Sequence, residues 1–348
     1  MSRAAYIVGV GETMHAPTRE DANSTELAWE AIRAALDDAG LRLRDIQGVV
    51  TASQDFWEGR TISSMSVNEV AGATLKPESK VAGDGALALL YAAARVEAGA
   101  DVPKLVVAHC LESQANPHAV ELAAFDPYVQ RALDPDETVI AGLQAGLAGY
   151  DLAERARVVV AARRRSPWLP PVDAAEVESS PVTSSPLRRL ERAPLMDGAC
   201  AVVLCDEATA IRLGRPAIRV AGAATATDPY WSDRDLTRAP ALSAALASAL
   251  ASAGWADAPD RIELSAPFAH QALLWARELG VDGGAAAFED GALSATGGCL
   301  AGRPGIVAGL SAAVSCAQAL RDAPGRAIAH GTTGLLGQSH HLVCLEAA

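Results

Sequence analysis

The amino-acid sequence predicts an α/β protein built from two similar βαβαββ halves, and three observations predict it. Short runs that are apolar throughout alternate with segments of helical period, which is how strands covered on both faces read. A helix-to-strand unit near residue 30 recurs near residue 245 with the same plan. Half of the 348 residues are hydrophobic and a fifth are charged, enough to bury a large core.

The elements follow in order. Tyr6-Ile7-Val8-Gly9-Val10-Gly11 reads as the first strand. Ser24 to Ala39 is helical in period, stops at an Ala-Gly cap, and feeds a short strand at Val49-Val50. Gly85 to Ala98 is an apolar helix, followed by the strand Lys104 to Ala108. The half closes with the strand Ala199 to Cys205. The second half repeats this plan. Ala217 to Gly222 is a strand, and the Ala/Leu-rich helix around 241–253 stops at Ala253-Gly254. Asp260 to Leu264 is the next strand, Gly305 to Leu320 an apolar helix, Arg326 to Ala329 a strand, and His341 to Leu345 the last strand. The domain reading is 1–215 and 216–348, with an insertion at 112–197 in the first. That insertion holds a helix pair at about 137–149 and 152–165, then a Pro/Ser-rich stretch, and reads as a functional loop region. The strand after Asp101 is expected at the edge of the combined sheet.

Composition excludes several functions. Net charge is −13 and no basic run exceeds Arg163-Arg164-Arg165, so a phosphate backbone would be repelled and no nucleic-acid partner is expected. Aromatic content of 4% argues against base-stacking platforms. Six cysteines stand without metal-finger spacing, several inside apolar runs, as buried reduced thiols do. The opening from Met1 to Val8 looks like a strand rather than a leader, no apolar stretch reaches spanning length, and no membrane partner is expected. The expectation is a cytoplasmic protein without a metal site.

Three ordered segments carry a resemblance. Pro186-Leu187-Arg188-Arg189-Leu190 precedes Met196-Asp197-Gly198-Ala199-Cys200-Ala201-Val202-Val203-Leu204. Thr296-Gly297-Gly298-Cys299-Leu300-Ala301-Gly302-Arg303-Pro304-Gly305 forms a glycine loop, and His330-Gly331-Thr332-Thr333-Gly334 a second one near the C-terminus. Together they resemble the thiolase superfamily, in particular the sterol-carrier-protein and lipid-transfer thiolase-like branch. That resemblance implies a thiolase fold, with the two halves forming a five-layered αβαβα core. It also implies an acyl-CoA or other thioester as ligand, and no further cofactor.

Three departures from the resembling pattern stand out. The helix that would carry a cysteine nucleophile begins in Lys80-Val81-Ala82-Gly83-Asp84-Gly85, which puts Ala82 at that position. Gly302-Arg303-Pro304 stands where the pattern has Gly-His-Pro, and Arg donates to an anion but does not act as a base. Ser265-Ala266-Pro267 offers nothing titratable, although His270 follows. The remaining candidates for catalysis are His330, placed in the loop after its strand, His340 and Arg303. His340 and His341 alternate along a strand, so one of them reaches the pocket. Candidates for substrate binding are Ala82, Asp84, His270, Thr296, Gly297, Gly298, Cys299 and Gly331. Asp84 reads as a helix cap or as a base of raised pKa.

Two functions fit. One is carbon–carbon bond chemistry next to a thioester, of retro-aldolase type, without an acyl-cysteine intermediate. The other is a catalytically inactive thiolase-like protein that binds acyl thioesters or scaffolds an active partner. Expected partners are a second copy of the chain, paired across the sheet edge. A small OB-fold acyl-CoA-binding protein or an active thiolase paralogue is the hetero-oligomeric alternative.

Overall fold

In the computed structural model, which describes residues 4–57 and 59–347, the duplicated pattern folds as two copies of one winding. Met1–Arg3 of the expected opening lie outside the described residues. The first half runs β1 (Ala5–Glu12), α1 (Ser24–Ala39), β2 (Gly48–Ala52), α2 (Met65–Asn68), β3 (Glu78–Val81), α3 (Gly85–Glu97) and β4 (Lys104–Leu111). The insertion follows with α4 (Pro117–Ala123), α5 (Glu137–Ala148), α6 (Leu152–Arg165), α7 (Ala174–Ser179) and a hairpin of β5 (Val182–Ser184) and β6 (Leu187–Arg188). β7 (Asp197–Asp206) closes the half, and α8 (Glu207–Leu213) leads on. The second half runs β8 (Ile218–Thr227), α9 (Pro240–Ala253), β9 (Arg261–Glu263), α10 (Ala269–Glu278), α11 (Ala286–Glu289), α12 (Gly305–Asp322), β10 (Gly325–Thr333) and β11 (Ser339–Ala347).

The strand order is β3-β2-β4-β7-β1-β8-β11-β10-β9, the halves meeting where β1 and β8 pair antiparallel. Within each half the inner strands keep the same relations: β2 parallel to β4 and β9 parallel to β10, with β7 and β11 antiparallel to their neighbours. α1 covers one face of the first half's strands and α9 the equivalent face of the second. α3 and α12 pack on each other and on strands of both halves, which makes five alternating layers. Alternation along β4 sorts its side chains between layers. Val106 and Ala108 face α3 and α12, while Leu105 and Val107 face α1.

Glycines set the layer spacing. A Cβ on Gly9 or Gly11 would overlap the α1 carbonyls of Ala35 and Ala31, and one on Gly222 would overlap the α9 backbone at Ala253. Both halves use a bare strand to bring their outer helix close. The predicted Ala-Gly stops are also there, with Gly40 and Gly254 in the left-handed conformation at φ 67° and 70°.

One expectation is corrected. The strand after Asp101 is third from its end of the sheet, and the edge belongs to β3. Glu78-Ser79-Lys80-Val81 is short and half exposed, so it carries no apolar run to announce it. Its counterpart in the second half shrinks to a single parallel bridge between Ile262 and Leu293. None of the six cysteines forms a disulfide, and all are buried. Among the described residues no helix is long and apolar enough to cross a membrane.

Candidate active site

The two buried helices, α3 and α12, bring their N-termini to one cleft, and carboxyl groups from the first half hold both. Asp84 caps α3, accepting the Ala86 N–H on Oδ1 at 2.7 Å. Its Oδ2 accepts the Gly309 N–H of α12 at 2.9 Å. A Cβ on Gly309 or Gly331 would overlap Oδ1, so these glycines make the room for the carboxyl. Glu112, just past β4, accepts the Gly305 N–H at 3.0 Å and the Met196 N–H at 2.8 Å. α12 has no capping side chain of its own, and Glu112 supplies what Pro304 lacks.

The cleft has two adjoining chambers of about 320 and 200 Å³, which share Trp57, Glu137, Gly305, Ile306 and Thr332–Gly334 at the end of β10. Ala82, Asp84 and Glu121 line the first, and Glu112, Ser265 and Cys299 the second. Glu137, the first residue of α5, takes the Leu336 N–H at 2.9 Å, and Glu121 takes the Glu137 N–H at 3.0 Å. Burial pushes the carboxyls of Asp84 and Glu112 up to about 7. Glu137 is likewise pushed up to about 7, by burial and then by the neighbouring Glu121. Burial, and then Asp84, pushes the Cys299 thiol up to about 12, so at neutral pH it is not a thiolate. Among the described residues lining the two chambers there is no Lys or Arg.

Three expected residues, Ala82, Asp84 and Cys299, stand on the cleft wall, and Gly331 lies directly behind Asp84. The others are elsewhere. His330 is inside β10 rather than in the loop after it, because the strand continues through Thr333. It is fully buried, with Nδ1 accepting the Ser265 N–H at 3.3 Å and Nε2 at 3.0 Å from Nδ1 of His340. Both rings meet the edge or face of Trp275, and burial holds His330 well below the usual histidine range and His340 at about 3. His341 reaches Thr225 and, at 3.1 Å, the cleft-lining Thr333, which places it one residue behind the wall.

Arg303 is buried too. It donates to Ser311, to Ser315 at 3.1 Å and to the Thr296 carbonyl at 3.2 Å, with its guanidinium over Trp168. His270 bonds Gln144 at 3.0 Å, away from the cleft, and burial lowers it to about 3. Thr296 donates to Glu263 at 2.7 Å. Gly297 and Gly298 have positive φ and press against Ala162 and Leu264, leaving no space for a side chain, and neither lines the two cleft chambers. The cleft carboxyls Glu112, Glu121 and Glu137 were not singled out from the sequence. The available signal was their place in the insertion, with Glu137 opening an otherwise apolar helix.

No family profile matches the chain, and no curated protein matches it. Solved structures do. An aldolase described as Ltp2-ChsH2(DUF35) is 22% identical with a TM-score of 0.77, covering 99% of this chain and 98% of that one. A monomeric SCP2-thiolase-like protein from Mycobacterium smegmatis is 20% identical with a TM-score of 0.76, over 98% of this chain and 77% of that one. Human mitochondrial 3-ketoacyl-CoA thiolase is 15% identical with a TM-score of 0.81, over 99% of both chains. At these identities the likeness establishes the fold, and the chain has the thiolase fold.

Proposed function

We propose that this protein cleaves a carbon–carbon bond in a β-hydroxyacyl thioester by retro-aldol chemistry, with cleft carboxyls rather than a cysteine moving the proton. The observation that carries the reading is the chemistry of the cleft wall. Burial pushes Asp84, Glu112 and Glu137 up to about 7, raises Glu121, and pushes the Cys299 thiol up to about 12, beside Ala82 where a covalent nucleophile would stand. In the step, a carboxylate takes the β-hydroxyl proton and the Cα–Cβ bond breaks. A carbonyl product leaves, and its electron pair passes to the thioester enolate, which is protonated at Cα. A group titrating near the working pH suits both transfers.

Glu137 is the assigned acid–base group. It faces both chambers, and its known hydrogen bond occupies only one carboxyl oxygen. Asp84 and Glu112 hold the two helix N-termini beside it. Replacing Glu137 with Gln is expected to lower turnover of a 3-hydroxyacyl-CoA, followed by carbonyl release, by roughly 10²–10⁴-fold with little change in KM. Full turnover in that variant overturns the assignment. Intact mass after incubation with acetyl-CoA is expected to be unchanged, and a stoichiometric acyl adduct on Cys299 would restore the covalent route.

The described residues lining the two chambers carry several carboxyls, and we propose that a partner contributes to holding the coenzyme A phosphates. The neighbour named Ltp2-ChsH2(DUF35) is an aldolase whose description joins two chains, and a small OB-fold acyl-CoA-binding protein is the corresponding proposal here. A second copy of this chain is proposed across β3, whose outer edge is unpaired within the chain. A pair of this kind buries more than roughly 1,500 Å² in total and shows as a dimer in light scattering at micromolar concentration. A monomer under those conditions overturns it. The scaffold reading is favoured instead if Glu137→Gln leaves an active complex at full rate.

A further inference from the structure

One group of donor atoms outside the cleft takes no part in the chemistry above. Glu12, the last residue of β1, and Cys200 are directly opposed partners in the antiparallel β1–β7 ladder. His15 follows three residues later, and the chain between is pinned against the same strand. The Thr13 N–H donates to the Ala199 carbonyl at 3.0 Å, the Ala199 N–H to Thr13 Oγ1 at 3.0 Å, and the Asp197 N–H to the Ala16 carbonyl at 2.7 Å. Gly198 makes room for the ring, since a Cβ there would overlap His15. Two strands and a fixed turn thus aim a carboxylate, a thiol and an imidazole at one point.

The spacing suits coordination. Cys200 Sγ lies 3.4 Å and His15 Nε2 3.6 Å from the same Glu12 oxygen, and the three donor atoms all fall within 4.8 Å of one another. Bonds of about 2.0–2.3 Å at tetrahedral angles separate such donors by about 3.3–3.5 Å. His15 is 1% exposed and stacked on Trp168, and its ring nitrogens, near the Gly302 and Ala199 carbonyls, form no well-aligned hydrogen bond. Leaving a buried ring nitrogen poorly bonded is unfavourable, and a metal ion would supply the missing partner. Glu12 keeps 17% of its side chain exposed, which gives an ion a way in.

We propose that Glu12, His15 and Cys200 form a binding site for a divalent transition-metal ion, Zn²⁺ by the chemistry of its donors. Imidazole nitrogen, thiolate sulfur and carboxylate oxygen are the ligand set that this borderline-soft ion takes. The Ser311 hydroxyl, already bonded to the same Glu12 oxygen, or a water completes the tetrahedron. The Arg303 guanidinium stands on the far side of Ser311. Its charge lowers affinity for a dication, while the Glu12 carboxylate and the Cys200 thiolate together offset the ion's two charges. Binding releases the Cys200 thiol proton to solvent. The bound ion would tie the end of β1 to β7 and, through Ser311, to α12.

The experiment is a titration of chelator-dialysed full-length protein with Co²⁺. The expected result is one ion per chain, a sulfur-to-cobalt charge-transfer band in the near ultraviolet, strong visible bands of a tetrahedral site, and one proton released per ion. Zn²⁺ is expected to displace the cobalt and to raise Tm. Cys200→Ser is expected to abolish the charge-transfer band, and Glu12→Gln to weaken binding by more than roughly tenfold. Absence of the band in the unmodified protein, or its survival in Cys200→Ser, overturns the site. If Cys200→Ser does not fold, Glu12→Gln decides, and an unchanged affinity overturns it.

Discussion

The two halves share a scaffold but differ in what they bury. Strand relations, helix caps and the close approach of the outer helices repeat from one half to the other. The titratable groups do not. Asp84 and Glu112, which are buried, and the partly buried Glu137, from the first half and its insertion, are acids pushed up to about 7. His270, His340 and His341, from the second half, are buried bases pushed down to about 3, 3 and 4. The acids line or hold the cleft, whereas His270 and His340 are packed into the core behind it. The layers therefore repeat, whereas the acids that line or hold the cleft come from the first half and its insertion; outside the cleft both halves bury titratable groups, His15 in the first and Glu263 in the second.

The largest expected effect separates these roles by turnover. Glu137→Gln is expected to cut carbon–carbon cleavage by roughly 10²–10⁴-fold, whereas Asp84→Asn, which removes an acceptor for the Gly309 N–H at the helix N-terminus, acts through position alone and costs less. His330→Ala is expected to keep turnover within about tenfold while losing about 2–4 kcal/mol of stability, as emptying a core position does. Loss of turnover at full stability in His330→Ala would move the acid–base group to the second half.

A smaller effect tests the shared scaffold. Gly11→Ala and Gly222→Ala each drive a Cβ into helix backbone that has nowhere to go, and each is expected to cost about 1–3 kcal/mol in chemical denaturation. Gly331→Ala is expected to cost as much and also to lower turnover, because its Cβ strikes the Asp84 carboxyl rather than a packing helix. Equal turnover in Gly331→Ala and Gly222→Ala would mean that Asp84 does not matter to the reaction.

The scaffold was legible in the sequence because local rules write it. Ala39-Gly40 and Ala253-Gly254 stop their helices through a left-handed glycine, and Asp84 caps α3 by the ordinary preference of short carboxylates. What was not legible depends on contacts distant in sequence. Glu78–Val81 is a strand because β2 lies beside it, not because its residues favour one. His330-Gly331-Thr332 looks like a loop, yet pairing with Leu342, His341 and His340 carries β10 through it and turns His330 into the core. Glu112 becomes a buried acid only because Gly305, nearly two hundred residues on, needs an acceptor.

The smallest effect is read as a slope. Glu137 titrates at about 7 when folded and near 4.5 when unfolded, so between those values the folded chain holds the extra proton and stability falls as pH rises. His270 titrates at about 3 folded and near 6.5 unfolded, so there the unfolded chain holds the extra proton and stability falls as pH falls. Each group contributes about 1.4 kcal/mol per pH unit, with opposite sign. Glu137→Gln keeps an acceptor for the Leu336 N–H and removes the titration. Relative to the unmodified protein it should gain about 1.4 kcal/mol per unit from pH 4.5 to 7, reaching about 3 kcal/mol at pH 8. His270→Gln keeps a donor to Gln144, and relative to the unmodified protein its stability should fall by about 1.4 kcal/mol for each unit the pH is raised toward 6.5. Urea unfolding at pH 5, 6, 7 and 8 measures both slopes. Curves for the two variants that run parallel to the unmodified protein would show that neither half buries its titratable groups as described, and the contrast between the halves would collapse into their shared scaffold.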